Sequence, residues 1–219
     1  MSAEIRDIAI FTTIAAIAAT ALMLVPGVGV AWLLARRDFP GKSLVETIVS
    51  LPLVMPPVAT GLLLLWLFSR RGPIGALLAR MNVEVVFTPA AVVIAMAVMG
   101  LPLLVRTARA GFEQVTRRYE QIAETLGAGP WRVFSTVTLP LAARNILAGA
   151  VLGFSRALGE FGATIVVAGS IPGRTRTLAV GIYTYTESGQ DEQAAALLVI
   201  SVVIAFMAVL ASNRLARNV

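Results

Sequence analysis

Two charged residues, Arg156 and Glu160, stand four positions apart inside an otherwise apolar run. On a helix that spacing puts them on one face. At ~1.5 Å per residue, Arg156 lies about 22 Å along from Leu141. That depth is far inside a bilayer, where a charge costs roughly 2.5–3.5 kcal/mol on insertion scales. The pair must therefore face protein or water. It could line or gate an anion pathway, or it could be a buried ion pair that fixes helix register. Hydroxyl groups at Thr60, Ser155, Thr164 and Ser170 could donate to an anion; each could equally bond back to its own helix. Gly159 and Gly162 beside the pair permit close helix approach.

Other chemistry is bounded by what the chain lacks. There is no histidine and no cysteine. The commonest general base, the Ser-His-Asp triad and most zinc sites go with them. No Gly-x4-Gly-Lys-[Ser/Thr] stretch occurs, so any nucleotide hydrolysis is expected in another subunit. The chain reads as a non-enzyme, with no catalytic residue, no metal site and no cofactor of its own.

The elements that must hold these residues are membrane spans. The 219 residues are 58% hydrophobic and 14% charged, against about 25% charged in an average soluble domain. A bilayer core about 30 Å thick needs about 20 apolar residues as helix. Residues 8–35, 47–69, 85–105 and 193–213 meet this without a charge. Residues 139–169 meet it with Arg144, Arg156 and Glu160 inside. The expectation is an all-α integral membrane protein of five transmembrane helices, one domain over residues 1–219. The first run is too long for a signal-peptide core, and Glu4 and Asp7 precede it, so it reads as a retained helix.

Basic residues orient the spans. With the N-terminus outside, eleven of them fall on the inner side, Arg36, Arg37, Arg117, Arg132, Arg214 and Arg217 among them. Six fall outside, including Arg174 and Arg176. The net charge of +6 comes from arginines that flank apolar runs. They form no single stripe, so no nucleic-acid partner is expected. Prolines interrupt the runs at Pro26, Pro52, Pro56, Pro57 and Pro102. In lipid such breaks are tolerated where protein or a water-lined cavity satisfies the freed carbonyls. The segment around Pro56 reads as a broken helix, either a packing kink or part of a pathway, whose N-terminal dipole could face an anion.

The loop at residues 106–140 is polar but patterned, with a core over 110–139. Val115, Tyr119, Ile122 and Leu126 recur at helical spacing. Gly127-Ala128-Gly129 ends that helix, and Pro130 suits the start of another. Trp131, Phe134 and Val137 give the second helix an apolar side. The two short helices lie either on the bilayer surface or against a soluble partner.

Gln121-Ile122-Ala123, then Gly127, then Val137-Thr-Leu-Pro140 resembles the coupling loop of ABC importer permeases. That motif runs Glu-Ala-Ala, three residues, Gly, nine residues, Ile-x-Leu-Pro. Gln121, Ile122 and Val137 depart from it, and Glu120, one position early, carries the acid. Leu51-Pro-Leu-Val-Met-Pro-Pro57, Arg156-Ala-Leu-Gly-Glu-Phe-Gly-Ala-Thr164 and Ile171-Pro-Gly-Arg-Thr-Arg-Thr177 resemble the molybdate permeases of that group, with sulfate/thiosulfate permeases as near relatives. The resemblance implies a type I importer fold working by alternating access in the cytoplasmic (inner) membrane. It implies a homodimer, two cytoplasmic ATPase subunits that bind ATP and Mg, and an extracytoplasmic oxyanion-binding protein. On it, Glu120, Gln121, Ala123, Gly127, Ala128, Gly129, Trp131 and Arg132 couple to the ATPase. Pro56, Thr60, Ser155, Arg156, Glu160 and Thr164 are candidates for the pathway or gate. A proton- or sodium-coupled secondary transporter is the rival of a different class; Glu160 is its one midplane carboxylate. A short helix over 178–185 is expected as an outer gate or docking surface.

Overall fold

The computed structural model describes residues 3–218, with side chains through residue 210. Arg214 and Arg217, counted above among the inner charges, and the ends of the 1–219 domain lie outside the described side chains or residues. The elements are α1 (Ala3–Arg36), α2 (Lys42–Val54), α3 (Pro57–Phe68), α4 (Gly75–Arg80), α5 (Pro89–Gln114), α6 (Arg117–Thr125), α7 (Pro130–Val133), α8 (Leu139–Leu158), α9 (Gly162–Ala168), α10 (Leu178–Glu187) and α11 (Asp191–Asn218). Among the described residues there is no strand.

Prolines start three of these helices, at Pro57, Pro89 and Pro130. There the missing N–H would have had no partner anyway. The helix expected over 178–185 is α10, and the Thr177 side chain caps it by accepting from the Val180 N–H.

The core is a three-helix layer in which α5 packs along both α1 and α8. Small residues let the backbones meet: a Cβ on Gly100 would stand 2.8 Å from the Gly153 carbonyl oxygen. This is how helices gain contact where lipid removes the hydrophobic drive. Ala16, Ala19, Val92, Ala95 and Met96 are fully buried in this layer. Outside it, α3 pairs with α9 and α10 with α11.

Among the described residues, four helices are long and apolar enough to cross a membrane alone: Ala3–Arg36, Pro89–Gln114, Pro130–Leu158 and Asp191–Leu210. A fifth crossing exists if α2 and α3 together are one span. The second run is thus not a single helix. Its halves meet at 116°, because Pro56 and Pro57 both lack the N–H that would carry the helix across.

Two further boundaries differ from the sequence expectation. The second loop helix is not separate from the next span, for Pro130–Leu158 runs on as one apolar helix. Pro140 cannot donate to residue 136, which would ordinarily stop it. Instead residues Phe134–Thr138 widen into a π turn, and the Leu139 N–H reaches the Phe134 carbonyl five residues back. The apolar run at 139–169, conversely, is broken: α8 ends at Leu158 and α9 starts at Gly162. Arg156 therefore sits in the last turn of a helix, and Glu160 sits in the gap.

Candidate functional site

At the 159–161 gap the chain solves its charge problem internally. Glu160 is 1% exposed. One carboxylate oxygen, Oε1, accepts the Ala163 N–H at 2.7 Å, so Glu160 caps α9 with a charge that favours a helix N-terminus. The other, Oε2, lies 2.8 Å from Arg156 Nη1. That approach is not aligned as a hydrogen bond, so Oε2 is held by charge alone. The Arg156 side chain is 28% exposed; of the two, it alone can meet something outside the fold.

The hydroxyl candidates divide. Ser155 bonds back to the Val151 carbonyl at 2.9 Å. Thr164 is fully buried and donates to the Phe161 carbonyl at 2.9 Å. Ser170 contacts the Thr184 hydroxyl at 3.1 Å and accepts from Arg176 Nε at 3.1 Å. Thr60 differs: its hydroxyl is buried with no hydrogen-bond partner. It lies on α3, beside the point where Gly61 packs on Ala163 of α9.

That contact brings the two membrane breaks together. A Cβ on Gly162 would come within 2.8 Å of Pro57 Cβ, and one on Gly61 within 2.8 Å of the Ala163 backbone. The proline break and the Arg156–Glu160 break are therefore neighbours, although a hundred residues separate them in sequence. Gly159 is not part of this packing, for a Cβ there would meet nothing within 4 Å. Pro56 and Val58 at the mouth of α3 remain exposed.

The loop is built the opposite way. Its helix α6 ends in a Schellman motif: the Ala128 N–H reaches the Ala123 carbonyl at 3.0 Å and the Gly127 N–H reaches Glu124 at 2.9 Å. Gly127 takes φ +87° to do so, which only glycine adopts without strain. Gly129 is extended and precedes Pro130. The apolar residues of α6 then point outward: Leu126 is 82% exposed, and Tyr119 and Ile122 are about half exposed. Trp131 is exposed as well, its ring 5.6 Å from that of Phe134. Arg132, Gln121 and Gly129 are exposed, and Ala123 and Ala128 are half-buried. An apolar rim of this kind awaits a partner.

Glu120, by contrast, points inward. Its Oε1 lies 3.0 Å from Arg36 Nη2 at the end of α1, and accepts the Thr138 hydroxyl at 2.6 Å. The same Arg36 nitrogen donates to the Val115 carbonyl at 2.8 Å. The acid of the loop is thus a strut to α1 and to the π turn. Arg36 and Thr138 carry no sequence signal for this, since 84 positions separate Arg36 from Glu120. A second tie, Arg109 to Glu46 at 2.7 Å, holds α2 to α5. Beside the strut, the Lys42 hydrogen bond and charge, with Arg117 adding, hold the Asp38 carboxyl below its usual range.

Residues 27–219 match the family described as binding-protein-dependent transport system inner membrane component. The chain is 48% identical over 193 residues to the molybdenum transport system permease protein of Escherichia coli (strain K12), covering 87% of this chain and 84% of that one. It is 37% identical over 194 residues to the sulfate transport system permease protein of the same organism, covering 89% of this chain and 69% of that one. In fold it is similar to an inward-facing structure of the MetNI methionine ABC transporter, with a TM-score of 0.75, 18% identity, and coverage of 100% of this chain and 99% of that one.

Proposed function

Because the chain belongs to the binding-protein-dependent transport system inner membrane component family, we propose that it is the transmembrane permease subunit of an ATP-driven molybdate importer. The observation that carries the cargo is the 48% identity to a molybdenum permease along most of both chains. The sulfate relative is more distant and longer, so sulfate or thiosulfate is the second reading. Molybdate, tungstate and sulfate are all tetrahedral dianions, and uptake competition among them ranks the three.

The permease works as a homodimer with two ATPase subunits in trans, which bind the ATP and Mg, and with an extracytoplasmic oxyanion-binding protein. The N-terminus lies outside and the loop on the cytoplasmic face of the inner membrane. Support for the ATPase docking role is the apolar rim at Leu126, Ile122 and Trp131, rigidly presented by the Gly127 cap. Closure of the ATPases moves this rim. The Glu120–Arg36–Thr138 strut passes the motion to α1 and α8, and alternating access follows. Arg156 and the unpartnered Thr60 hydroxyl are the polar groups available to an oxyanion near the two membrane breaks.

Proton coupling is disfavoured, because both oxygens of the Glu160 carboxylate are engaged, by the α9 cap and by Arg156. The test is uptake by the reconstituted complex. ATP-dependent molybdate accumulation that survives collapse of the proton gradient is the expected result; uptake that tracks the gradient and ignores ATP would sink the proposal.

A further inference from the structure

Two cavities lie beside the loop and share Glu120, Gln121 and Trp131 with the residues assigned to coupling. One is polar, about 320 Å³, at the inner end of α1; Arg36, Arg37 and Arg117 line it, with Glu120 and Glu124 opposite. The other is about 740 Å³ and apolar, and follows α1 from Leu24 past Gly29 to Trp32, against Phe134 and Ile146 of the α7–α8 helix. Trp32, Arg37, Pro130 and Phe134 border both, so headgroup-like and chain-like spaces are continuous.

We propose that this is a binding site for one anionic phospholipid of the inner leaflet, its phosphate at Arg37 and Arg117 and an acyl chain in the α1–α8 groove. The inference rests on the cytoplasmic placement of the loop argued above. Dimensions agree. From Leu24 to Arg37 the helix rises about 20 Å, close to half of a roughly 30 Å hydrocarbon core plus its interface. Trp32 stands where an interfacial aromatic belt belongs.

Charge agrees as well. Glu120 is committed to Arg36 and Thr138, which leaves Glu124 as the one uncommitted carboxylate lining the polar cavity. Among the described residues, Arg37 and Arg117 form no ion pair, and the Arg117 charge helps to lower the Asp38 carboxyl.

The test uses the assembled permease–ATPase complex in phosphatidylcholine bilayers, with Trp66→Phe and Trp131→Phe to leave Trp32 as the permease's tryptophan. Phosphatidylglycerol or phosphatidylcholine with brominated chains is titrated in, and quenching of Trp32 is read. About thirtyfold preference for phosphatidylglycerol is expected, the ratio that roughly 1 kcal/mol for each of two basic residues at the surface amounts to. Arg37→Gln should bring the ratio down to about five. Gly29→Leu should lower quenching by both lipids, since a side chain there meets open space in the fold and fills the groove. Equal quenching by both lipids in the parent overturns the proposal, as does a preference that Arg37→Gln leaves intact. Quenching seen in the permease alone and lost in the complex also overturns it, in favour of a protein occupant. The topology is tested separately. The chain has no cysteine, so Ala128→Cys in vesicles without ATPase reports which side the loop faces to an impermeant thiol reagent. Inner-side labelling without lipid preference removes the lipid site alone; outer-side labelling removes the topology beneath it.

Discussion

The loop and the membrane break at 159–161 solve opposite problems. In the break, charges that lipid would reject are folded inward and matched: Glu160 is 1% exposed, capped onto α9 and set against Arg156. In the loop, apolar side chains that water would reject are turned outward and left bare, with Leu126 at 82%. The first region is finished by its own chain. The second is finished only by another. A fold that satisfies its most expensive charges yet leaves its cheapest hydrophobes uncovered is built to be assembled, and mutations should separate the two regions by what they damage.

The largest effect is expected at the break. Arg156→Gln leaves the Glu160 carboxylate buried with one partner gone, which costs about 3–5 kcal/mol; thermal unfolding of the detergent-solubilised protein should show it. Arg156→Gln with Glu160→Gln should recover much of that loss. If the double variant is no better than the single, the pair is not an internally matched unit. Its uptake then distinguishes a structural pair from a pathway element, since normal transport means the pair is only structural.

Leu126→Glu should do the reverse. Its stability should change by less than about 0.5 kcal/mol, as for other surface substitutions, while ATPase association weakens by about 2 kcal/mol or more, as at an apolar anchor of an interface. Co-purification of the ATPase checks this, and full retention would remove the docking role. Glu120→Gln lies between the regions and should lose about 1.5–3 kcal/mol, the range for hydrogen bonds to charged groups. Its signature is ATP hydrolysis that no longer drives proportional uptake; loss of both together would mean that the strut only stabilises. The smallest effect belongs to Gly127→Ala. Space is open there, so only the left-handed backbone is penalised, by about 1–2 kcal/mol. Hydrogen exchange at the Ala128 amide should rise with it.

Much of this was legible in the chain. Uncharged runs located the spans, because lipid demands them. Gly127 marked the end of α6, because few other residues take that backbone. The short helix expected over 178–185 is present as α10. What stayed hidden was relational. Prolines at 56 and 57 signalled a break but not its 116°. The gap at 159–161 lies in an apolar run and shows only as two glycines around an acid. Pro140 argued for a helix start, and the π turn overruled it. The partner of Glu120 sits at the end of another helix, and spacing within the loop cannot reach it.

That π turn has a consequence for timing within the machine. Trp131 and Arg156 stand on one unbroken rod, about 38 Å apart along its axis. One extra residue in a turn rotates everything beyond it by about 100° relative to an uninterrupted α-helix. The rod is therefore a camshaft whose two lobes are set out of phase by Phe134–Thr138. Removing one residue from that turn would leave both lobes intact and change only the angle between them; on the proposed function, ATPase closure would then reach the membrane break out of step.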